Sequence, residues 1–324
     1  MNSYIELHLH LDGAITVDIA RKLAAAQSII LPTEDDKELE KLLSVPSDCT
    51  SLNEFLKCFD LPLSLLQTKQ GISDAVMLVM DNIKKQGVIY AELRYAPQLH
   101  KQKGLTQENA VVAALEGLER SDLAGNLILC CMRGNDNQAE NIQTVELAHT
   151  YLTDNGGVVA LDLAGAEALC PTGDYKDVFK LAREHDIPFT IHAGEAAGAD
   201  SVRSAIEQGA SRIGHGVRIM EDESVMQLVR DKAICLEMCP TSNRQTVAVS
   251  DMNDYPLKRY IDYGIKVAVC TDDMAICRTT LAEEHDYIRS LCGITTEQER
   301  QLYLNAVEAA FTDEKTKSEL RKLV

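Results

Sequence analysis

Short β-rich runs alternate with longer helical patterns along the chain. The predicted strands are Tyr4–Leu9, Val88–Tyr95, Asn126–Met132, Val158–Leu163, Pro188–Ala193, Arg212–Gly214, Ala233–Glu237 and Lys266–Val269. Strands that alternate with helices pair in parallel through right-handed crossovers, so the pattern predicts successive βα units. Eight such units in 324 residues favour an α/β fold of the (β/α)8 TIM-barrel class, with an open doubly wound sheet as the alternative.

Helical patterns outside the regular units predict two additions to the barrel. They are Thr16–Gln27, Leu52–Phe59 and Ser73–Gln86 between the first two strands, and Thr279–Leu291 and Thr295–Ala310 after the eighth strand. We expect a helical insertion over the barrel mouth and extra C-terminal helices. Because no repeat, low-complexity tract or Pro/Gly/Ser-rich linker interrupts the chain, residues 1–324 are predicted to form a single domain.

The charge balance and the cysteines restrict the partners and the compartment. The chain has 50 acidic and 32 basic side chains, a net charge of −18, whereas nucleic acids and anionic membranes bind basic surfaces. We therefore expect a small neutral or cationic ligand, and neither a nucleic acid nor a membrane as partner. The N-terminus lacks the pattern of a signal peptide, and the 10 cysteines include no C-x-x-C pair. A cytoplasmic enzyme with reduced thiols is expected.

The first predicted strand carries two histidines on one face. Side chains alternate across a strand, so His8 and His10 point the same way, opposite to the leucines beside them. A barrel strand can direct such ligands inward, whereas a surface strand with two solvated histidines is the alternative. Glu6 shares this face, and we expect it to pair with Arg94 of the second strand inside the barrel.

Polar residues also follow three later strands. His192 and Glu195 follow the fifth strand, His215 follows the sixth, and Asp272 and Asp273 follow the eighth. The carboxyl ends of barrel strands form one rim, which is where active sites lie. Histidines and a carboxylate together suit a divalent cation such as zinc with a position open to water. The sequence therefore predicts a catalytic metal centre, with Glu195 placed for proton transfer.

Five motifs lie at or near the predicted strand ends. They are His8-Leu9-His10-Leu11-Asp12-Gly13, Leu161-Asp162-Leu163-Ala164-Gly165, His192-Ala193-Gly194-Glu195, Gly214-His215-Gly216 and Cys270-Thr271-Asp272-Asp273. In this order and approximate spacing the chain resembles the adenosine deaminase family of the amidohydrolases, and the resemblance covers nearly its whole length. It implies a zinc-dependent (β/α)8 barrel that hydrolyses the 6-amino group of a purine.

The resemblance also implies a role for each matching residue. The implied zinc ligands are His8, His10, His192 and Asp272, with water as a fifth ligand. The implied catalytic residues are Glu195, which would protonate purine N1, and His215, which would orient the attacking hydroxide. The implied substrate contacts are His10, Asp12 to the ribose 5′-hydroxyl, Gly165 N–H to N3, Asp273 to N7, and an apolar lid of Leu52, Phe55, Leu56 and Phe59.

The substrate stays open between related purines. The leading expectation is deamination of adenosine and 2′-deoxyadenosine, and the alternative is adenine, N6-methyl-AMP or aminodeoxyfutalosine. Asp12 favours a nucleoside, because the adenine-specific branch usually carries glutamate there. Ala166 and Met274 depart from the family pattern and change the shape expected for the purine pocket. A metal-binding protein without catalysis is disfavoured, because Glu195 and His215 are both present.

Overall fold

The computed structural model describes residues 3–46, 49, 55 and 57–324. Its strands are β1 (Tyr4–His10), β2 (Val88–Tyr95), β3 (Ala124–Met132), β4 (Val158–Ala164), β5 (Thr190–Ala193), β6 (Arg212–His215), β7 (Cys235–Met238) and β8 (Lys266–Val269). They pair in parallel and in chain order, β1 to β4 in one sheet and β5 to β8 in another. Each predicted strand is therefore present, with bounds shifted by two residues or fewer at each end.

Main-chain hydrogen bonds join the two sheets at both edges. Between β4 and β5, Leu161 N donates to Pro188 O at 3.0 Å. At the other edge His10 N donates to Asp272 O, and Asp272 N donates to His8 O, each at 2.8 Å. The strands therefore close into the predicted (β/α)8 barrel. The hydrogen bonds at the second edge join His8, His10 and Asp272, which are three of the predicted metal ligands. Closing the barrel therefore also brings these ligands together.

Helices cover the outside and the carboxyl end of the barrel. The described α-helices are Val17–Gln27, Asp36–Leu43, Asp60–Leu65, Lys69–Lys85, Gln107–Glu119, Gln138–Thr150, Lys176–Glu184, Ala199–Glu207, Glu223–Asp231, Pro240–Gln245, Leu257–Tyr263, Met274–Cys277, Leu281–Cys292, Thr296–Ala309 and Glu314–Arg321. Short 3-10 helices lie at Asp12–Ala14, Lys57–Phe59, Pro97–His100, Thr172–Tyr175, Val217–Glu221 and Met252–Asp254. The predicted helices Thr16–Gln27 and Ser73–Gln86 of the insertion correspond to Val17–Gln27 and Lys69–Lys85, and the two predicted after β8 correspond to Leu281–Cys292 and Thr296–Ala309. Residues 52–54 and 56 of the predicted helix Leu52–Phe59 lie outside the described residues. Among the described helices, none combines the length and the apolar character that crossing a membrane requires.

The barrel interior contains buried charges that pair with one another. Arg94 is fully buried, and its guanidinium donates to Asp162 of β4 at 2.9 Å and to Glu237 of β7 at 2.8 Å. Glu6 is also buried, but it accepts from the hydroxyl and the N–H of Thr271 at 2.7 and 3.1 Å. The predicted pair of Glu6 and Arg94 is therefore wrong. Strand parity fixes which face a side chain occupies, whereas its partner depends on which strands lie opposite across the barrel.

Candidate active site at the carboxyl end of the barrel

Four imidazoles and a carboxylate converge where β1, β5 and β6 end and where the chain leaves β8. His192 Nε2 lies 3.0 Å from His8 Nε2 and 3.1 Å from His10 Nε2. Asp272 Oδ1 lies 3.1 Å from His8 Nε2 and 3.5 Å from His10 Nε2. The ligand atoms of His8, His192, His215 and Asp272 all lie within 4.8 Å of one another. The arrangement can hold one metal ion, and the predicted rim residues are brought together.

Two of these imidazoles are oriented by carboxylates behind them. His8 Nδ1 lies 2.7 Å from Glu237 Oε2, and His192 Nδ1 lies 2.9 Å from Asp162 Oδ2. Each contact holds the ring by its outer nitrogen, so the Nε2 atoms face the centre of the cluster. Metal-ligating histidines commonly have such a partner, which fixes the tautomer and raises the basicity of the ligand atom.

Burial and charge set the protonation of the cluster. Burial lowers the pKa of His192 to about 4 and that of His10 well below its ordinary value, so both present lone pairs at neutral pH. Burial also acts to lower the pKa of His8, but hydrogen bonds with Asp272 and Glu237 raise it to about 8. A bound cation would take the place of that proton. Despite its burial, the neighbouring imidazoles hold the pKa of Asp272 well below its usual range, so it is ionised.

His215 presents a proton to the site rather than a lone pair. Its Nδ1 lies 3.0 Å from Asn243 Nδ2, and the amide is oriented by Tyr255 OH, which lies 3.0 Å from Asn243 Oδ1. This network assigns the acceptor role to Nδ1 and therefore the N–H to Nε2. That Nε2 lies 3.5 Å from Glu195 Oε2 and 3.9 Å from Asp272 Oδ2. His215 is thus suited to donate a hydrogen bond into the site.

Unusual backbone conformations place two of these residues. His215 and Asp272 have φ values of 63° and 65°, in the left-handed region that non-glycine residues rarely adopt. Such conformations cost on the order of 1–3 kcal/mol each and cluster at functional sites. Between the strands, a Cβ on Gly214 would lie 3.0 Å from His8 Cε1 and 3.2 Å from His192 Cα. Glycine at this position therefore leaves room for the His8 imidazole beside the main chain of β5.

Two further carboxyl groups lie beside the cluster. Burial raises the pKa of Glu195, and Thr246 Oγ1 donates to its Oε1 at 2.9 Å. Burial and the charge of Asp272 raise the pKa of Asp273 well above its usual value, and its Oδ1 has no hydrogen-bond partner among the described residues. Asp273 packs against Gly13, where a Cβ would lie 2.6 Å from its Cγ. Both carboxyls are therefore placed to act as acids or hydrogen-bond donors.

A pocket opens above the cluster. Its lining residues are His10, Phe55, Phe59, Ala164, Gly165, Ala166, His192, Glu195, His215, Thr246, Asp272 and Asp273. The rings of Phe55 and Phe59 lie 6.1 Å apart, and Gly165 has a φ of 101°. Asp12 lies just beyond β1 and is 7% exposed. The other two predicted lid residues, Leu52 and Leu56, lie outside the described residues.

Several supporting residues were not predicted from the sequence. Asp162 and Glu237 orient two imidazoles, and each is the single charged residue in the strand that carries it. An acidic residue in an otherwise apolar parallel strand is a signal that could have found them. Glu167 and Asn243 gave no such signal, because both lie outside the strands.

The fold and the site define the class of protein, and comparison with known proteins then gives the family. The fold is that of amidohydrolase-type deaminase barrels: the adenine deaminase of Arthrobacter aurescens matches with a TM-score of 0.88 and 25% identity, covering 98% of this chain and 97% of that one. The sequence model of the adenosine deaminase family matches residues 4–324. The chain belongs to the adenosine deaminase family. It is 45% identical over 322 residues to the adenosine deaminase of Haemophilus ducreyi, covering 98% of this chain and 94% of that protein. It is 38% identical over 325 residues to the adenosine deaminase of Clostridium botulinum, covering 99% of this chain and 97% of that protein.

Proposed function

We propose that this protein hydrolyses the 6-amino group of adenosine and 2′-deoxyadenosine, forming inosine or 2′-deoxyinosine and ammonia. The observation that carries the proposal is one pocket in which a partly buried carboxyl, Glu195, faces the N–H of His215 beside the imidazole cluster. Purified protein incubated with adenosine should release ammonia and inosine in equal amounts. Release of ammonia without inosine, or no release, would contradict the proposal.

The donor set fits a divalent cation, and we propose zinc. His8, His10 and His192 would contribute their Nε2 atoms and Asp272 its Oδ1, since these atoms face one another at 3.0–3.5 Å. Neutral imidazoles with one carboxylate are a ligand set that zinc favours. When bound, such an ion lowers the pKa of water from 15.7 to about 7 and so supplies a nucleophile at neutral pH. His215 is left outside the ligand set because its Nε2 carries a proton.

Glu195 would act as the general acid. Aromatic C6 is a poor electrophile, and a proton at purine N1 makes it reactive towards attack. Burial raises the pKa of Glu195, which shifts its equilibrium towards the protonated form. Its Oε2 faces His215, whose N–H would stabilise the negative charge that develops on the attacking oxygen.

The remaining polar groups of the pocket would orient the purine. Asp273, with its raised pKa, would donate a hydrogen bond to N7 through the oxygen that has no other described partner. Gly165 lines the same pocket and would offer its N–H to N3. Contacts to three ring nitrogens select a 6-aminopurine over a pyrimidine, because a polar group left without its partner is costly.

Phe55 and Phe59 would cover the sugar, so Phe55→Ala is expected to raise KM for adenosine while kcat changes less. Phe55 is 4% exposed and packs with Val45 and Ile276. Steady-state kinetics would measure the effect. Val45→Ala is the control, since Val45 belongs to the same apolar cluster without lining the pocket. An equal rise in KM for both variants would show that the effect is only packing.

Asp12 would accept a hydrogen bond from the ribose 5′-hydroxyl. Burial raises its pKa to about 6, so it is mostly ionised at pH 7 and would repel a 5′-phosphate. A hydrogen bond to a charged group is worth about 1.5–3 kcal/mol, so adenosine should exceed 5′-deoxyadenosine by about 10- to 100-fold in kcat/KM. Asp12→Ala is expected to shrink that ratio. A ratio that the mutation leaves intact would remove Asp12 from sugar recognition.

A related 6-aminopurine is the second candidate substrate. The same pocket could take adenine, N6-methyl-AMP or aminodeoxyfutalosine, since the contacts to the ring are shared. The carboxylate of Asp12 disfavours a 5′-phosphate. Cytoplasmic action as a single domain is part of the proposal.

A further inference from the structure

The turn that carries Glu195 is folded around a second carboxylate, Glu167. Oε1 of Glu167 accepts from Gly194 N at 2.7 Å. Its Oε2 accepts from the N–H groups of Glu195, Ala196 and Ala197 at 3.1, 2.7 and 2.9 Å. Glu167 is 4% exposed, so these bonds are shielded from water. Four successive main-chain donors therefore converge on one anion.

This arrangement fixes the main chain of the turn. Successive N–H groups around an anion form a nest, and an ionised carboxylate has enough lone pairs to satisfy all of them. The turn leads into the helix Ala199–Glu207, whose N-cap Gly198 supplies no side-chain hydrogen bond. Ser201 Oγ in the first turn of that helix also donates to Glu167 Oε1, at 2.5 Å. Glu167 thus ties the end of β5 to the following helix.

A separate contact fixes the carboxyl of Glu195. Thr246, the C-cap residue of the helix Pro240–Gln245, donates from Oγ1 to Glu195 Oε1 at 2.9 Å. The same hydroxyl lies 3.1 Å from Ser242 O, one helical turn earlier. With Oε1 engaged, Oε2 is the oxygen that faces His215 and the pocket. The two contacts therefore restrain both ends of the Glu195 residue.

We propose that Glu167 and Thr246 are positioning residues for proton transfer by Glu195. Glu167 holds the main chain of Glu195, and Thr246 holds its carboxyl so that Oε2 is presented to the purine. The inference rests on the proposed function, in which Glu195 is the acid. A displacement of about 1 Å can cost about 10²-fold in rate, so loss of either contact lowers kcat more than it changes KM.

Thr246→Val tests the carboxyl contact with little change in side-chain volume. We expect kcat for adenosine to fall by about 10-fold, since the hydrogen bond that orients the Glu195 carboxyl is lost, with KM within about twofold of wild type. Thr246→Ser keeps the hydroxyl and is expected to restore most of kcat. Thr150→Val is the matched control, because Thr150 makes the same i−4 helix bond, to Glu146 O at 2.8 Å, at an exposed position.

Glu167→Gln tests the main-chain contact. An amide replaces one acceptor oxygen with two donors, which would then face main-chain N–H groups. We expect about a 10²-fold loss of kcat, with metal content and the dissociation constant of inosine near those of wild type. Glu167→Asp keeps the carboxylate on a shorter side chain. Its kcat is expected to lie between those of wild type and Glu167→Gln. If Glu167→Gln does not fold, the kcat values of Thr246→Val and Thr246→Ser test the inference.

The outcomes separate this inference from the proposed function. An active wild type whose Glu195→Gln variant is inactive, but whose Thr246→Val and Glu167→Gln variants turn over at the wild-type rate, overturns the inference alone. Equal losses of kcat in Thr246→Val and Thr246→Ser, or losses that follow metal content, also overturn it. A wild type that does not deaminate adenosine overturns the proposed function, and this inference with it.

Discussion

Glu195→Gln is expected to lower kcat for adenosine by at least the roughly 10²- to 10⁴-fold that a general acid contributes. The amide has nearly the same shape and keeps an acceptor for Thr246 Oγ1, but it has no acidic proton to deliver to purine N1. Metal content and inosine binding are expected to stay close to wild type. Single-turnover rates would separate the chemical step from product release.

Glu195→Asp tests whether the position of the acid matters as well as its presence. The shorter side chain keeps a carboxyl but moves it away from Thr246 and His215, so kcat is expected to lie between those of wild type and Glu195→Gln. If Glu195→Gln turned over near the wild-type rate, another group would have to protonate the ring. The buried Asp273 would then be the first carboxyl to test, because its pKa is also raised.

Removal of the metal is expected to abolish deamination and to lower the melting temperature. Without a cation, His192 Nε2 faces two other imidazole nitrogens at 3.0 and 3.1 Å in a buried site. A ligand that binds only the folded state stabilises it by mass action, so added zinc should restore both the activity and the melting temperature. Metal analysis of protein purified without added metal should give about one divalent ion per chain. A content near zero with full activity would contradict the metal centre.

Two histidine variants would check which imidazoles hold the ion. His10→Ala is expected to weaken metal binding, since it removes a lone pair from the cluster. His215→Ala is expected to keep the metal but to lose turnover, because its Nε2 is assigned a proton and offers no lone pair to the ion. Metal retained by His10→Ala and lost by His215→Ala would reverse this assignment.

The position of the site could be predicted from the sequence because parallel strands align their carboxyl ends. His8 and His192 lie near the carboxyl ends of β1 and β5, and Asp272 follows β8. Barrel closure brings their ligand atoms within 4.8 Å of one another. The barrel itself could be predicted because strands that alternate with helices pair in parallel through helical crossovers. The start of β5 was placed two residues too early, since Pro188 lacks an N–H and its carbonyl instead accepts the bond from β4.

The partners of these groups could not be predicted, because they depend on side-chain packing between distant segments. Arg94 has the expected parity but meets carboxylates from β4 and β7 rather than Glu6. The proton position on His215 depends on Asn243, 28 residues later in the chain. Glu167 precedes its nest by 27 to 30 residues, and no periodic pattern marks it.

The central claim is that the pocket deaminates a purine nucleoside. The most direct measurement is the rate of ammonia release from adenosine, 2′-deoxyadenosine, 5′-deoxyadenosine, adenine, AMP and N6-methyl-AMP, compared as kcat/KM with one preparation of zinc-loaded protein. We predict that adenosine and 2′-deoxyadenosine lie well above 5′-deoxyadenosine, with adenine and both nucleotides far behind. If adenine, AMP or N6-methyl-AMP proved the best substrate, the nucleoside assignment would be contradicted, and if no substrate released ammonia, the deaminase assignment would be contradicted as well.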